Sequence, residues 1–172
     1  MEKNILDLIQ TLKTPLLDKL MVAISILGNG GLIFIIIGII FLINKKHRRT
    51  GIHILITLIF CLIFGNLLLK PLIHRIRPYD MYNIPIIIKP LKDYSFPSGH
   101  TYASFGTAFS ILMHKNKIGY LFLIFATLMA FSRMYLYVHY PTDILGGIIL
   151  GLICATISKK IIEKIQTITY KK

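Results

Sequence analysis

Lys70-Pro-Leu-Ile-His-Arg-Ile-Arg77-Pro78, Pro97-Ser98-Gly99-His100 and Ser132-Arg133-Met-Tyr-Leu-Tyr-Val-His139-Tyr-Pro-Thr-Asp143 are three polar clusters, each at the edge of a long apolar run. Ionisable groups at such boundaries are costly to keep in a membrane chain and mark sites that use them. The surrounding composition points to a membrane. The 172 residues are 55% apolar and only 16% charged, with a mean hydropathy of +0.69, too oily for a soluble fold of about one domain. The expectation is an all-α, polytopic helical bundle of about six transmembrane helices. Residues 1–172 would form one integral-membrane domain, with the polar clusters at the outer helix ends.

In chain order, residues 1–14 alternate polar and apolar at helical spacing and suit a membrane surface. Their mixed charges (Glu2, Lys3, Asp7, Lys13) do not resemble a cleavable signal. From Leu16 to Ile43 the chain is apolar except for Asp18 and Lys19, and Gly28-Asn29-Gly30-Gly31 interrupts it with turn-forming residues. The preferred reading is two short helices meeting there in a hairpin. The alternative is one span over about 20–43 with the amphipathic segment outside it. After the basic loop 45–49, an apolar run from Ile52 leads to Lys70. Segment 71–97 carries Pro71, Pro78, Pro85 and Pro90, too many for a helix. Apolar helices are predicted over about 98–113, 118–138 and 142–158, followed by a basic tail over 159–172. Cys61 and Cys154 both lie inside apolar runs and read as small core hydrophobes, with neither disulfide nor metal expected.

Charge sets the orientation. The loops at 45–49 and 115–117 and the tail from 159 hold 11 of the 20 lysines and arginines, which marks their face as cytoplasmic. That makes 159–172 a cytoplasmic tail and 71–97 an extracytoplasmic loop. The polar clusters then face outward. A net charge of +13 distributed this way fits topology and anionic headgroups, so no nucleic-acid partner is expected.

The clusters hold the parts of a phosphoryl-transfer site. Lys70 ends one helix and Arg77 follows seven residues later, before a proline that fixes the backbone. Pro97-Ser98-Gly99-His100 opens the next helix, where unpaired N–H groups favour an anion. Gly99 permits close backbone approach and Ser98 adds a hydroxyl donor. Arg133 offers a fork that grips two phosphate oxygens. Pro141 suits the first helical position, which puts Asp143 in a first turn and within reach of His139. A carboxylate on one imidazole nitrogen makes the other a better nucleophile, and His100 is the candidate acid for the leaving oxygen.

Each residue taken singly has a plainer explanation. Lysine or arginine at a helix end is commonly a snorkelling anchor, and His47, His53, His74 and His114 are taken as structural. His-x-x-x-Asp is also half a metal site, yet Lys70, Arg77 and Arg133 would repel a divalent ion, so no metal or other cofactor is expected. Three clusters in this order and on one face outweigh the single readings.

Together the three clusters resemble the signature motifs of the type 2 phosphatidic acid phosphatase superfamily, over about 74 residues. That resemblance implies a six-helix core and metal-independent dephosphorylation through a phosphohistidine on His139. It further implies His100 as acid, with Lys70, Arg77, Ser98, Gly99 and Arg133 holding the phosphate. The short chain is similar to small bacterial members that act on undecaprenyl diphosphate, phosphatidylglycerophosphate or related lipids. An outward site suits undecaprenyl diphosphate, with phosphatidylglycerophosphate or phosphatidate as runner-up substrates. The partner is then a lipid phosphate within the membrane, and no obligate protein partner is implied. A transporter is disfavoured because the charges sit at helix ends and no repeated halves occur. A silent lipid-binding scaffold would have no use for two histidines and Asp143 at these spacings, and a haloperoxidase is disfavoured because that branch is typically soluble. Sensitivity to vanadate would separate the enzyme from transporter and scaffold.

Overall fold

The computed structural model describes residues 1–169; residues 170–172 of the expected tail lie outside the described residues. Within them all regular structure is helical. The helices are α1 (Glu2–Gln10), α2 (Pro15–Leu27), α3 (Leu32–Ile43), α4 (Arg48–Cys61), α5 (Lys70–Ile73), α6 (Pro78–Met81), α7 (Gly99–Leu112), α8 (Gly119–Tyr135) and α9 (Pro141–Thr169). A π-helical stretch, Leu62–Leu69, joins α4 to α5 in one continuous run. There Gly65 lies against the Tyr102 ring, and the Tyr102 hydroxyl donates to Asn66 Oδ1 at 2.6 Å.

The hairpin expected at Gly28–Gly31 is not formed. Gly30 and Gly31 take φ of 62° and 71°, which breaks the helix, but the run bends by only 42° and keeps its direction. Asp18 meets Tyr135 and Gly28 lies against Met129, so α2 descends along α8. Further on, Gly38 contacts Leu55 and Leu42 backs onto Gly51, so α3 continues down along α4. Glycine chemistry permits a break there; the packing of each half against a different neighbour sets its angle. The bundle therefore has five runs between its ends (α2 with α3, α4 through α5, α7, α8 and α9) where the hairpin reading expects six. By length and composition, Arg48–Met81 and Pro141–Ile165 are long and apolar enough to cross a membrane, and the bent Pro15–Ile43 pair makes a third.

Two other boundaries differ from expectation. Pro78 opens a helical turn inside the 71–97 segment, because proline is tolerated at a first helical position. The tail from 159 is also not separate, since α9 runs unbroken to Thr169. Helix α1 lies across the end that carries the polar clusters. It buries Leu6 and Ile9 and leaves Ile5 and Leu8 exposed.

The bundle turns many of its leucines and isoleucines outward, and its interior mixes large apolar side chains such as Phe34, Ile54, Ile111 and Met129 with small and polar ones. Leu20, Ile26, Ile36, Ile40, Ile59 and Ile149 are exposed. In the interior Thr57 bonds Ser110 at 3.0 Å and Ser158 at 3.2 Å, tying α4, α7 and α9 together. A Cβ on Gly151 would stand 2.9 Å from the Gly106 backbone nitrogen. Such close small-residue packing replaces hydrophobic burial as the holding force between helices in lipid.

Candidate active site

Four runs and the connections between them deliver the functional side chains to one end. Lys70 opens α5 and Arg77 precedes Pro78 as the cap of α6. Gly99 and His100 start α7, Arg133 sits in the last turn of α8, His139 lies in the α8–α9 turn, and Asp143 is in the first turn of α9. A cavity of about 730 Å³ is lined by Lys70, Arg77, Gly99, His100, Arg133 and His139. Ser98 and Asp143 stand behind that wall. Ser98 is fully buried, its Oγ accepts from Thr101 Oγ1 at 2.9 Å, and its N–H donates to the Asp143 carbonyl at 3.1 Å. The Ser98 hydroxyl is thus engaged inside its own helix start and does not line the cavity.

Hydrogen bonding fixes the state of His139. Its Nε2 lies 3.2 Å from Arg77 Nη1, and because a guanidinium has no lone pair to offer, Nε2 must be the acceptor and carry no proton. The ring proton is therefore on Nδ1, which faces Asp143 Oδ2 at 3.4 Å. Burial, then the cations Arg77, Arg133 and Lys70, push the His139 pKa well below the usual imidazole range. A neutral ring with a bare Nε2 results. Asp143 is fully buried and accepts from Ser95 Oγ, from the Tyr140 N–H at 2.8 Å and from Arg75 at 2.6 Å. His100 has the opposite polarity. Its Nε2 lies 3.1 Å from the Ser25 carbonyl, which can only accept, so this nitrogen bears a proton; Asn29 Oδ1 is 3.2 Å away.

The three cations are not equivalent. Arg77 is saturated: it donates to the carbonyl and carboxylate of Asp93 at 2.8 and 2.7 Å and to the Val138 carbonyl at 2.8 Å. Lys70 is paired with the same Asp93 carboxylate. Arg133 is 1% exposed and donates only from Nη1, to Ser25 Oγ. Its Nε and Nη2 are buried without any hydrogen-bond partner. Leaving these guanidinium nitrogens buried and unsatisfied is expensive, and an oxyanion is the kind of group that would satisfy them. The α7 N-terminus adds first-turn N–H groups that have no intrahelical acceptor.

Asp93, Arg75, Ser95, Ser25 and Asn29 also meet the site residues here, and the motifs alone give none of them a role in it. Asp93 had a signal, because Asp80 and Asp93 are the only carboxylates between Lys70 and His139. Burial alone would raise the Asp93 pKa, but the Lys70 and Arg77 charges hold it at about 2. Away from the cations the cavity becomes apolar, walled by Ile35, Leu55, Leu58, Ile59 and Leu62. Such a shape takes a ligand with a phosphate at one end and a hydrocarbon at the other.

Comparisons with known proteins identify the family and the fold. A family model described as the PAP2 superfamily matches residues 50–166. The chain is 32% identical over 137 residues to a protein of Sulfolobus acidocaldarius named undecaprenyl-diphosphatase, the match covering 78% of this chain and 66% of that one. The crystal structure of Aquifex aeolicus LpxE superposes with a TM-score of 0.81 at 28% identity, over 92% of this chain and 94% of its own. That of a transmembrane PAP2-type phosphatidylglycerolphosphate phosphatase from Bacillus subtilis gives a TM-score of 0.77 at 27% identity, over 95% and 85%. With the family model covering well over half its length, the chain belongs to the PAP2 superfamily, whose membrane lipid phosphatases it resembles in both sequence and fold.

Proposed function

We propose that the protein hydrolyses undecaprenyl diphosphate to undecaprenyl phosphate through a phosphohistidine on His139, with its site on the outer face of the cell membrane. The observation that carries the phosphate reading is Arg133, buried with Nε and Nη2 unpartnered beside the bare Nε2 of His139 in one cavity. In the first half-reaction His139 Nε2 attacks the terminal phosphorus and the bond to the bridging oxygen breaks. Lys70, Arg77, Arg133 and the Gly99 amide neutralise charge on the equatorial oxygens, a contribution largest in the transition state. His100, protonated on both ring nitrogens beside the bound phosphate, gives the Nδ1 proton to the leaving oxygen and is left neutral, with its Nε2 proton still on the Ser25 carbonyl. Asp143 stabilises the ring as it becomes positive. In the second half-reaction water attacks the phosphohistidine, His100 takes the water proton, and phosphate departs. Fixed cations thus do the work that a metal ion does in other phosphatases.

The identity of the lipid rests on the Sulfolobus relative and on the apolar half of the cavity. The outward orientation rests on Lys45, Lys46, Arg48, Arg49, Lys115, Lys117, Lys159 and Lys160 clustering at the opposite end. The Bacillus structural neighbour supports phosphatidylglycerophosphate as the second reading. Phosphate release by purified protein from undecaprenyl diphosphate, phosphatidylglycerophosphate and phosphatidate, with EDTA and with His139→Ala alongside, tests both. Release that survives EDTA, vanishes in the variant and is fastest from undecaprenyl diphosphate is the expected outcome. Faster release from phosphatidylglycerophosphate moves the assignment to the second reading, and activity in His139→Ala removes the nucleophile.

A further inference from the structure

The turn that carries His139 is held from outside the cavity, by residues that touch no ligand. It contains Tyr137 in the left-handed region at φ 60°, a conformation that a bulky side chain adopts only when its surroundings enforce it. Helix α1 enforces it. The Tyr137 hydroxyl donates to Asp7 Oδ1 at 2.7 Å, and Gln10 Nε2 donates to the Tyr135 carbonyl at 3.0 Å. Glu2 Oε1 accepts from the backbone N–H and hydroxyl of Thr142 at 3.2 and 2.6 Å. One face of a short amphipathic helix thereby pins residues 135, 137 and 142, on both sides of His139.

Arg75 joins that helix to Asp143. Its Nη2 donates to Glu2 Oε2 at 2.6 Å, and its Nη1 to Asp143 Oδ1 and Thr142 Oγ1, each at 2.6 Å. The guanidinium also lies 4.0 Å from the centre of the Tyr140 ring. Arg75 is absent from the cavity wall, so it acts on phosphate only through Asp143. It also separates two carboxylates that would otherwise face each other without a cation.

We propose that Arg75 is a positioning residue for the phosphatase reaction and that α1, through Glu2 and Asp7, is the clamp that holds Arg75 and the His139 turn in register. The inference rests on His139 and Asp143 being the reacting pair. It goes beyond the three motifs, because it assigns work to the amphipathic N-terminus and to a residue between Lys70 and Arg77.

The test uses full-length detergent-purified Arg75→Met, Arg75→Lys, Glu2→Gln and the Arg75→Met/Glu2→Gln double variant, with His139→Ala as reference. For each, kcat and KM for the preferred lipid phosphate are measured beside thermal unfolding. Misplacing a reacting group by about 1 Å costs on the order of 100-fold in rate, so Arg75→Met is expected to lose about that much in kcat, with KM within about threefold. Arg75→Lys retains the charge but not the fork, and should recover part of the loss. Glu2 and Arg75 act along one path to Asp143, so the double variant should be no slower than Arg75→Met alone, whereas separate structural roles would multiply the two losses. Unchanged kcat in Arg75→Met, a rise in KM with kcat intact, or a double variant slower than Arg75→Met would each overturn the proposal. If Arg75→Met does not fold, the kcat of Arg75→Lys and Glu2→Gln decides: both must fall without a matching rise in KM. Activity in His139→Ala would instead sink the catalytic reading beneath it, whereas a dead His139→Ala beside a normal Arg75→Met would sink this inference alone.

Discussion

At one end of the bundle His139 stands between Asp143 and Arg77; at the other, His53 and His114 meet edge-on with 5.2 Å between ring centres. Both ends have cations and a cavity, the far one about 250 Å³ and lined by Arg49, His114, Lys115, Lys159 and Glu163. Both hold neutral imidazole: His139 for the reasons given, and His114 because burial, then the neighbouring His53, lower its pKa to about 4. They differ in what each ring nitrogen meets. His53 Nε2 donates to the Ala155 carbonyl at 2.7 Å, while His53 Nδ1 and His114 Nε2 have no partner. Among the described residues, His139 alone pairs with a carboxylate. The far cations are also employed differently, as Lys159 bonds the Met113 carbonyl at 2.9 Å and reaches Glu163 at 3.8 Å. Burial, neutrality and nearby positive charge are therefore common to both ends; what sets His139 apart is a ring proton directed at a carboxylate and an unprotonated Nε2 that faces the cations of the cavity.

The sharpest way to break this contrast is to delete a ring at each end. His139→Ala should lower kcat by about 10⁵-fold or more, as loss of a covalent nucleophile does, with the thermal midpoint little changed. His53→Ala should do the reverse, costing about 2–4 kcal/mol of stability through the cavity it opens while kcat per folded molecule is retained. Initial-rate phosphate release together with thermal unfolding checks the pair, and comparable kcat losses in both would erase the distinction between the two ends. Next in size is Asp143→Asn, expected to cost about 10³–10⁴-fold in kcat because the amide no longer favours a proton on Nδ1. Arg133→Lys should follow at about 10²-fold, since a lysine supplies charge without the two donors that Nε and Nη2 present. A near-normal rate in that variant would mean the unpartnered guanidinium does not meet the phosphate.

How far the sequence reached divides along the same line. That Lys70, Arg77, His100, Arg133 and His139 would meet at one cavity could be read from the sequence, because each sits at a helix end or an adjoining turn and those ends share one side of the bundle. Asp93 and Arg75 could not be assigned roles, because a carboxylate in a proline-broken loop shows no periodicity that reveals which cation it will meet. The break at Gly28–Gly31 was visible as turn chemistry, yet its angle depends on α8 and α4, distant in sequence. The placement of α1 across the site was hidden for a related reason: an amphipathic pattern shows that a helix seeks a surface, and does not say which one.

Asp93 sharpens the comparison from within the site. Its carboxylate takes Lys70 and Arg77, the cations that the proposed function assigns to phosphate, and its side chain is half exposed. On that proposal the carboxylate competes with substrate. Asp93→Asn should lower the KM for lipid phosphate, and the inhibition constant of inorganic phosphate, by about three- to fivefold, the range expected of a partly exposed ion pair. With its pKa depressed to about 2, Asp93 is ionised throughout the working range, and its pairs weaken only as pH falls towards that value. The ratio of wild-type to variant KM should accordingly stay constant between about pH 5 and 8. A KM that rises in Asp93→Asn would show that the carboxylate aligns Lys70 and Arg77 for the substrate instead of opposing it.

The smallest effect is expected at the far end. His114 Nε2 is buried without a partner, and an unsatisfied nitrogen of this kind is a cost that an apolar side chain of similar size removes. His114→Leu should therefore leave kcat and KM within about twofold and raise the thermal midpoint by a few degrees, the shift that about 1 kcal/mol produces in a chain of this length. Scanning calorimetry or fluorescence unfolding in detergent, with lipid-phosphate turnover measured on the same preparation, reads both quantities. If kcat drops tenfold with the midpoint unchanged, the far histidines communicate with the phosphate site along α7 and α9, and the two ends would have to be treated as one working unit. If the midpoint falls instead, His114 Nε2 is satisfied in solution by water entering from the neighbouring cavity, and the far end is a hydrated seat for the basic loops with no part in turnover.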